Sequence, residues 1–304
     1  MRGRSRSTGS DEPPHASVLA AEVVSMLAPK PDGVYIDCTV GFGGHADALL
    51  EAGAGRVIGV DRDEQALALA RERLARWGGR VVLMHSDYRS LADIARATGI
   101  SAANGVLADL GVSSMQFDDA SRGFSFRQSG PLDMRMDRST GTPLGDRLAT
   151  IDEGTLADVI FKFGEERKSR RVARAILAAR DNGTLKTTAD LAAAARRGAG
   201  TGRWERIDPA TRTFQALRIW VNEELDGLEA FVESAVNLLA PSGRLAVIAF
   251  HSLEDRLMKQ TMRALAAGGR VALITRRPTQ PSDEEVARNP RARSARLRVV
   301  EKAA

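Results

Sequence analysis

Apolar and polar positions change period along this chain, and from residue 34 onward short β-rich runs alternate with helical stretches. Strands are predicted at VYIDCTV (34–40), RVIGVD (56–61), RVVLMHS (80–86), GVLADL (105–110), RLAVIAF (244–250), VALIT (271–275) and ARLRVVEK (295–302). Helices near 45–53, 64–76 and 90–98 separate the first four, the rhythm of a parallel sheet with crossover helices. The last two strands are joined by about twenty residues, RRPTQPSDEEVARNPRARS, too short and Pro-rich for a crossover helix. They should pair antiparallel as a terminal hairpin, unlike an all-parallel dinucleotide-binding sheet.

Between about residues 118 and 212 the strand pattern stops and helical periodicity takes over. Thr150 and Glu153 fit a capping box opening a helix through Phe163. A second helix suits 165–180, stopped by Asn182-Gly183, and a short Ala-rich one suits 188–197. Asp208-Pro209 reads as an N-cap and first-turn Pro that opens ATRTFQALRIWVNEEL. The expected organisation is therefore a mobile arm at 1–14, an α/β domain from 15–117 and 213–304, and an inserted all-helical, substrate-binding domain at 118–212.

Composition sharpens this picture without redirecting it. At 304 residues, with 43 % hydrophobic and 5 % aromatic residues, the core should be built from Ala, Val, Leu and Ile. The single Cys38 excludes an internal disulfide and a Cys-cluster metal site, and no metal is expected. The first 14 residues lack the apolar stretch of a secretory signal, and no run is long enough to cross a bilayer, so a cytoplasmic protein is expected. Forty-four basic against 39 acidic residues leave a mild positive bias, but Arg-rich segments at Arg167 to Arg174, Arg196 to Arg206 and Arg288 to Arg298 favour a phosphate-binding surface.

Candidate chemistry gathers at strand ends. Gly41-Phe42-Gly43-Gly44-His45 follows the first strand, where glycines let backbone amides approach an anionic ligand. Asp61 ends the second strand, placed to accept both hydroxyls of a ribose. The spacing is GxGG rather than GxGxxG, which suits S-adenosylmethionine, a donor without a pyrophosphate. Its carboxylate matches the amides of Gly43 and Gly44, and its sulfonium matches Asp37 and Asp109. Tyr88 lies where an adenine would stack, and a solvated loop tip is the plainer alternative.

Asp109 opens DLGVSSMQFDD after the fourth strand. A carboxylate there can accept a hydrogen bond from an exocyclic –NH2 and draw the nitrogen lone pair out of conjugation, although a turn carboxylate would look the same. This loop has no Cys to add to a pyrimidine ring, so nitrogen or oxygen is the expected acceptor. His251, in FHSLEDR, suits orienting a base or relaying a proton, or a structural hydrogen bond; Ser252 to Asp255 read as a helix N-cap with first-turn acids. Phe124 and Phe126 suit either stacking on an unpaired base or anchoring their loop.

These blocks together resemble the MraW family over about residues 15 to 302. YIDCTVGFGGH, GVDRD, DLGVSSMQFDDASRGFSFRQSGPLDMRMD, FGEERKSRRVARAI, ATRTFQALRIWVNEEL, APSGRLAVIAFHSLEDR and NPRARSARLR carry the likeness. The resemblance implies a seven-stranded, Rossmann-like methyltransferase sheet with a helical insertion. It also implies S-adenosylmethionine-dependent N4-methylation of a cytosine in the decoding centre of small-subunit ribosomal RNA, within an assembled or nearly assembled subunit. Cofactor contacts are implied at Gly43, Gly44, His45, Asp61, Tyr88, Asp109 and Gln116; His45 and Gln116 rest on the resemblance alone. Cys38 stands where the family often has Gly, and Met115 where it often has Pro. Two other readings fit the same residues: a non-catalytic ribosome-assembly factor that binds RNA, and an NAD-dependent oxidoreductase.

Overall fold

A computed structural model describes residues 17–200 and 208–304. The arm predicted at 1–14, and the part of the second Arg-rich segment from 201 to 206, lie outside the described residues. In chain order the elements begin with α1 (Ala20–Leu27), β1 (Val34–Asp37), α2 (Gly44–Glu51), β2 (Arg56–Asp61), α3 (Glu64–Leu74), β3 (Val81–His85), α4 (Leu91–Thr98), β4 (Ala103–Asp109) and α5 (Ser114–Asp118). The helical insert follows as α6 (Leu144–Thr150), α7 (Glu153–Gly164), α8 (Ser169–Asp181), α9 (Thr188–Ala199) and α10 (Ala210–Asn222). The chain closes with α11 (Leu228–Leu238), β5 (Leu239–Ala249), α12 (Ser252–Ala267), β6 (Val271–Leu273), α13 (Asp283–Arg288) and β7 (Arg296–Lys302).

The seven strands lie in the order β3-β2-β1-β4-β5-β7-β6. β1 is parallel to both β2 and β4, with Ile36 opposite Ile58 and Val106. β7 inserts antiparallel between β5 and β6, setting Val299 opposite Ala246 and Glu301 opposite Ala272. The expected terminal hairpin is present, and its connection holds the short helix α13, which the Pro-rich sequence did not suggest. Strand side chains alternate between two apolar cores, Ile36, Val106 and Ala108 on one face and Tyr35 and Leu107 on the other. Both faces are buried because helices cover both, which is why these strands are almost continuously apolar.

A third core, built on Leu148, Ile160, Val172, Ile176, Leu191 and Leu217, belongs to the insert. Three of its helix starts differ from expectation. Asp152, not Thr150, caps α7, its carboxylate accepting from the amide of Thr155 at 2.9 Å. Thr150 instead ends α6, a helix the pattern did not reveal. α8 starts at Ser169 rather than 165, because Glu165 takes a left-handed conformation (φ +51°) that closes α7. α10 begins at Ala210 with Pro209, not Asp208, in the N-cap position, while the Asp208 carboxylate accepts from Ala210 N at 2.9 Å. Among the described residues, no helix is long and apolar enough to cross a membrane.

Candidate functional site

The strand order reverses between β1 and β4, and at such a switch point the helices leave the sheet in opposite directions and open a crevice at the strands' carboxyl ends. Asp37, Asp61 and Asp109 are the last residues of β1, β2 and β4. A cleft of about 370 Å³ opens there, lined by Gly44, His45, Asp61, Tyr88, Asp109 and Gln116 among others.

The glycine turn is shaped by Asp61. Its Oδ2 accepts from Gly41 N at 2.8 Å and its Oδ1 from Asp63 N at 2.8 Å. Each oxygen keeps a lone pair for a ligand hydroxyl. Burial, against those amide bonds, raises the Asp61 pKa above the usual carboxylate value. Gly43 also has a packing role in the turn. Its amide bonds to Val40 O at 2.7 Å, and a Cβ there would meet Leu74 at 2.8 Å, so Gly43 seats the turn on α3. Gly44, at the start of α2, lines the cleft.

Tyr88 packs edge-on against Phe231, with ring centroids 4.9 Å apart, and is one wall of the cleft. Burial pushes its hydroxyl pKa well up. Beside it, burial works to raise the Asp87 pKa, but hydrogen bonds and charge from Arg89 and Arg62 hold it below the ordinary range.

At the centre, His45 Nε2 lies 3.5 Å from Asp109 Oδ2, and the second oxygen of Asp109 has no hydrogen-bond partner. The backbone amide of Asp109 donates to Thr39 Oγ1 at 2.6 Å, which fixes the carboxylate's root. Asp37 is wholly buried, with Oδ1 accepting from Thr39 N at 3.2 Å and Oδ2 unpartnered. Burial, only partly offset by His45, brings the Asp37 pKa up to about 7. Burial alone would depress His45; the hydrogen bond and charge of Asp109, with Asp37 adding to them, leave its pKa raised.

Gln116 reaches the cleft, but most of its amide serves the protein. Its Oε1 accepts from Ser113 N at 2.9 Å and its Nε2 donates to Asp63 at 2.6 Å. Asp63 also receives Arg122 Nη1 at 2.7 Å, and Arg122 Nη2 donates to the carbonyls of Arg135 and Met136 at 3.1 and 2.8 Å. This fully buried arginine ties the loop after β4 to α3, and no residue reading had singled it out.

His251 does not line the cleft. It is itself the N-cap of α12, where Ser252 was expected: its Nδ1 accepts from Glu254 N at 3.3 Å, and Nε2 sits 3.1 Å from Glu254 Oε1. Glu224, His251 and Glu254 offer ligand atoms within 4.8 Å of one another. The positive charge a cation would bring is already supplied by Arg218, which forks onto Glu224 with two 2.8 Å bonds.

The two phenylalanines anchor their loop. Phe124 is buried in the insert, and Phe126 packs edge-on against Phe214 at 4.9 Å with Arg196 over its face. Much of the Arg-rich charge is also tied internally. Arg174 pairs with Glu153, Arg196 with Asp208, Arg296 and Arg298 with Asp255, and Arg291 with Asp118 across the mouth of the cleft. Arg167, Arg170, Arg288 and Arg293 are exposed.

Residues 12–303 match the MraW methylase family. The chain is 52 % identical over 284 residues to ribosomal RNA small subunit methyltransferase H of Sorangium cellulosum, covering 93 % of this chain and 89 % of that protein. It is 48 % identical to the protein of the same name from Citrifermentans bemidjiense (95 % and 98 % covered) and 50 % identical to that of Anaeromyxobacter sp. strain K (95 % and 97 % covered). The strand order, the acids at the switch point and this near-complete match converge: the chain belongs to the MraW methylase family.

Proposed function

We propose that this protein methylates small-subunit ribosomal RNA with S-adenosylmethionine as donor, and that the acceptor is the exocyclic N4 amine of a cytosine. The observation that carries the acceptor assignment is Asp109, the last residue of β4, whose partly exposed carboxylate lines the cleft with Oδ2 3.5 Å from His45.

The residues fit the donor. Asp61 has lone pairs facing ribose hydroxyls, Tyr88 offers an apolar wall for adenine, and the start of α2 at Gly44 presents amide N–H groups to a carboxylate. Asp37 and Asp109 bring negative charge to the sulfonium. Gln116 has one amide N–H left after Asp63, and its main effect is to hold the loop that forms this wall. When bound, the donor supplies an electrophilic methyl carbon and takes the bond's electron pair back onto sulfur.

The protein's own work is on the amine. The Asp109 carboxylate accepts an N–H from it, which turns the nitrogen lone pair out of the ring and toward the methyl carbon. Positive charge develops on nitrogen as the new bond forms, and the same carboxylate stabilises it and receives the released proton. His45, 3.5 Å from Oδ2, sets the charge beside the carboxylate, and the Asp109 amide bond to Thr39 Oγ1 fixes its root. No covalent adduct with the ring is needed, in keeping with a cleft whose lone thiol, Cys38, is buried and driven toward its neutral form.

A structured RNA must present the base unstacked, at a cost of a few kcal/mol. We place the helical insert over the cleft as the element that receives it, in an assembled or nearly assembled small subunit in the cytoplasm. Incubating unmethylated subunits with the purified protein tests the reading: wild type should transfer methyl groups and Asp109→Ala should not, while still melting normally and binding S-adenosylhomocysteine. Turnover by the variant would remove Asp109 from the reaction.

A further inference from the structure

Beyond Asp109 the cleft continues to a wall formed by Arg218, Glu224, Phe250 and Glu254. Arg218 comes from α10 of the insert, yet its Nη2 lies only 3.9 Å from where a Cβ on Gly111 would be, two residues after Asp109. Gly111 has φ +96°, a left-handed conformation that costs a side-chain-bearing residue energy, and a Cβ there would lie in ordinary contact with Arg218 and Phe250. The guanidinium is immobilised: Nε and Nη2 donate to the two oxygens of Glu224. α10 is in turn tied to the loop beneath it, since Asn222 bonds to Arg218 O, Met134 O and Met136 N. The side chain is 16 % exposed, and among the described residues Nη1 makes no hydrogen bond.

A mostly buried guanidinium with unused N–H groups on a cavity wall is a built donor site for a planar acceptor edge. Its partner's chemistry follows from its neighbour. Asp109 accepts, so the ligand edge beside it must donate; Arg218 donates, so the next position on that edge must accept. We propose that Arg218, held by Glu224, reads the ring-nitrogen and carbonyl side (N3 and O2) of the target base and makes the site specific for cytosine over uracil. This deepens the proposed methyl transfer and rests on the amine being delivered to Asp109. Cytosine offers N4–H to Asp109 and lone pairs to Arg218. Uracil inverts both positions, placing O4 against a carboxylate and N3–H against a cation, and each mismatch strands a desolvated group. Glu224 is a positioning residue: it locks the fork and lowers the net charge the empty wall must carry.

The test uses small ribosomal subunits from cells lacking the enzyme, wild-type protein, Arg218→Lys, and the double variant Arg218→Met with Glu224→Leu. The double variant removes the ion pair without stranding either charge, so its fold is expected to survive. Both variants should lose about 10- to 100-fold in single-turnover rate, the worth of a bidentate base contact. Their S-adenosylhomocysteine affinity, melting temperature and KM for subunits should stay near wild type, because phosphate contacts dominate subunit binding. A folded variant that methylates at the wild-type rate, or one whose loss is fully matched by lost S-adenosylhomocysteine binding, would overturn the assignment. Wild-type protein that leaves subunits unmethylated would overturn the underlying activity instead, a distinct result.

Discussion

Replacing Arg122 by Met should destabilise the protein and loosen its cofactor cleft together. The Met keeps much of the apolar stem, so the change isolates the guanidinium. Arg122 is 1 % exposed, and its loss leaves the buried Asp63 carboxylate with Gln116 Nε2 at 2.6 Å and Gln65 N at 3.0 Å as remaining donors. The carbonyls of Arg135 and Met136 lose their bonds to the guanidinium at the same time. Removing one partner of a buried ion pair costs about 3 to 5 kcal/mol. Because Asp63 is not wholly stranded, the lower end applies, about 3 kcal/mol. For a chain of this size that corresponds to roughly 6 °C in melting temperature. Thermal unfolding followed by circular dichroism reads the shift, and calorimetry reads the accompanying fall in S-adenosylhomocysteine affinity as the Gln116 loop loses its anchor. Adding Asp63→Asn to Arg122→Met should recover part of the lost stability, since no unpaired charge then remains. A single variant that melts like wild type would refute the view that this buried pair holds the loop to α3.

Two further outcomes follow from the charges around the cleft. Asp37 titrates near 7 in the folded protein against 3.8 as an ordinary aspartate. A raised carboxyl pKa means that the native state holds the proton more tightly, so this contribution is complete below about pH 4 and is lost as pH rises through 7. Asp37→Asn should therefore raise the melting temperature progressively over that window, with little change below it, and a pH-independent difference would contradict the burial argument. Arg291, in the connection before β7, bonds to Asp118 and Ser114 O and stacks on Phe117 at 5.3 Å. As an exposed pair it is worth up to about 1 kcal/mol. Arg291→Ala should weaken S-adenosylhomocysteine binding a few-fold through the opened mouth while leaving the salt dependence of RNA binding alone; a flattened salt slope would make Arg291 a phosphate contact instead.

The sheet was legible because strands buried on both faces are almost continuous apolar runs, and because Asp61 and Asp109 interrupt them where β2 and β4 end. The terminal hairpin followed from the length and proline content of one connection. Side-chain destinations were harder to read. Arg122 and Arg218 look like surface arginines in sequence, and nothing local says that acids distant in sequence wait for one of them. Arg218 did carry a signal: it falls on the helix face of Phe214 and Val221, at spacings of four and three, where a solvated residue does not belong. Gly43 and Gly44 are indistinguishable in a glycine turn until Leu74 packs against one of them. The N-cap of α12 reads one position late in sequence, at Ser252 instead of His251, since a histidine can serve as an N-cap while serine is the commoner choice. The Arg-rich segments overstated the free charge, because pairing with Glu153, Asp208, Asp255 and Asp118 is decided by tertiary contacts.

The most direct measurement is to incubate unmethylated small ribosomal subunits with purified protein and S-adenosylmethionine carrying a deuterated methyl group, digest the RNA to nucleosides, and locate the label by mass spectrometry. The account predicts a single labelled nucleoside, N4-methylcytidine, formed by wild type and absent with Asp109→Ala. Label on a ring carbon, on a ribose hydroxyl or on another base would contradict it.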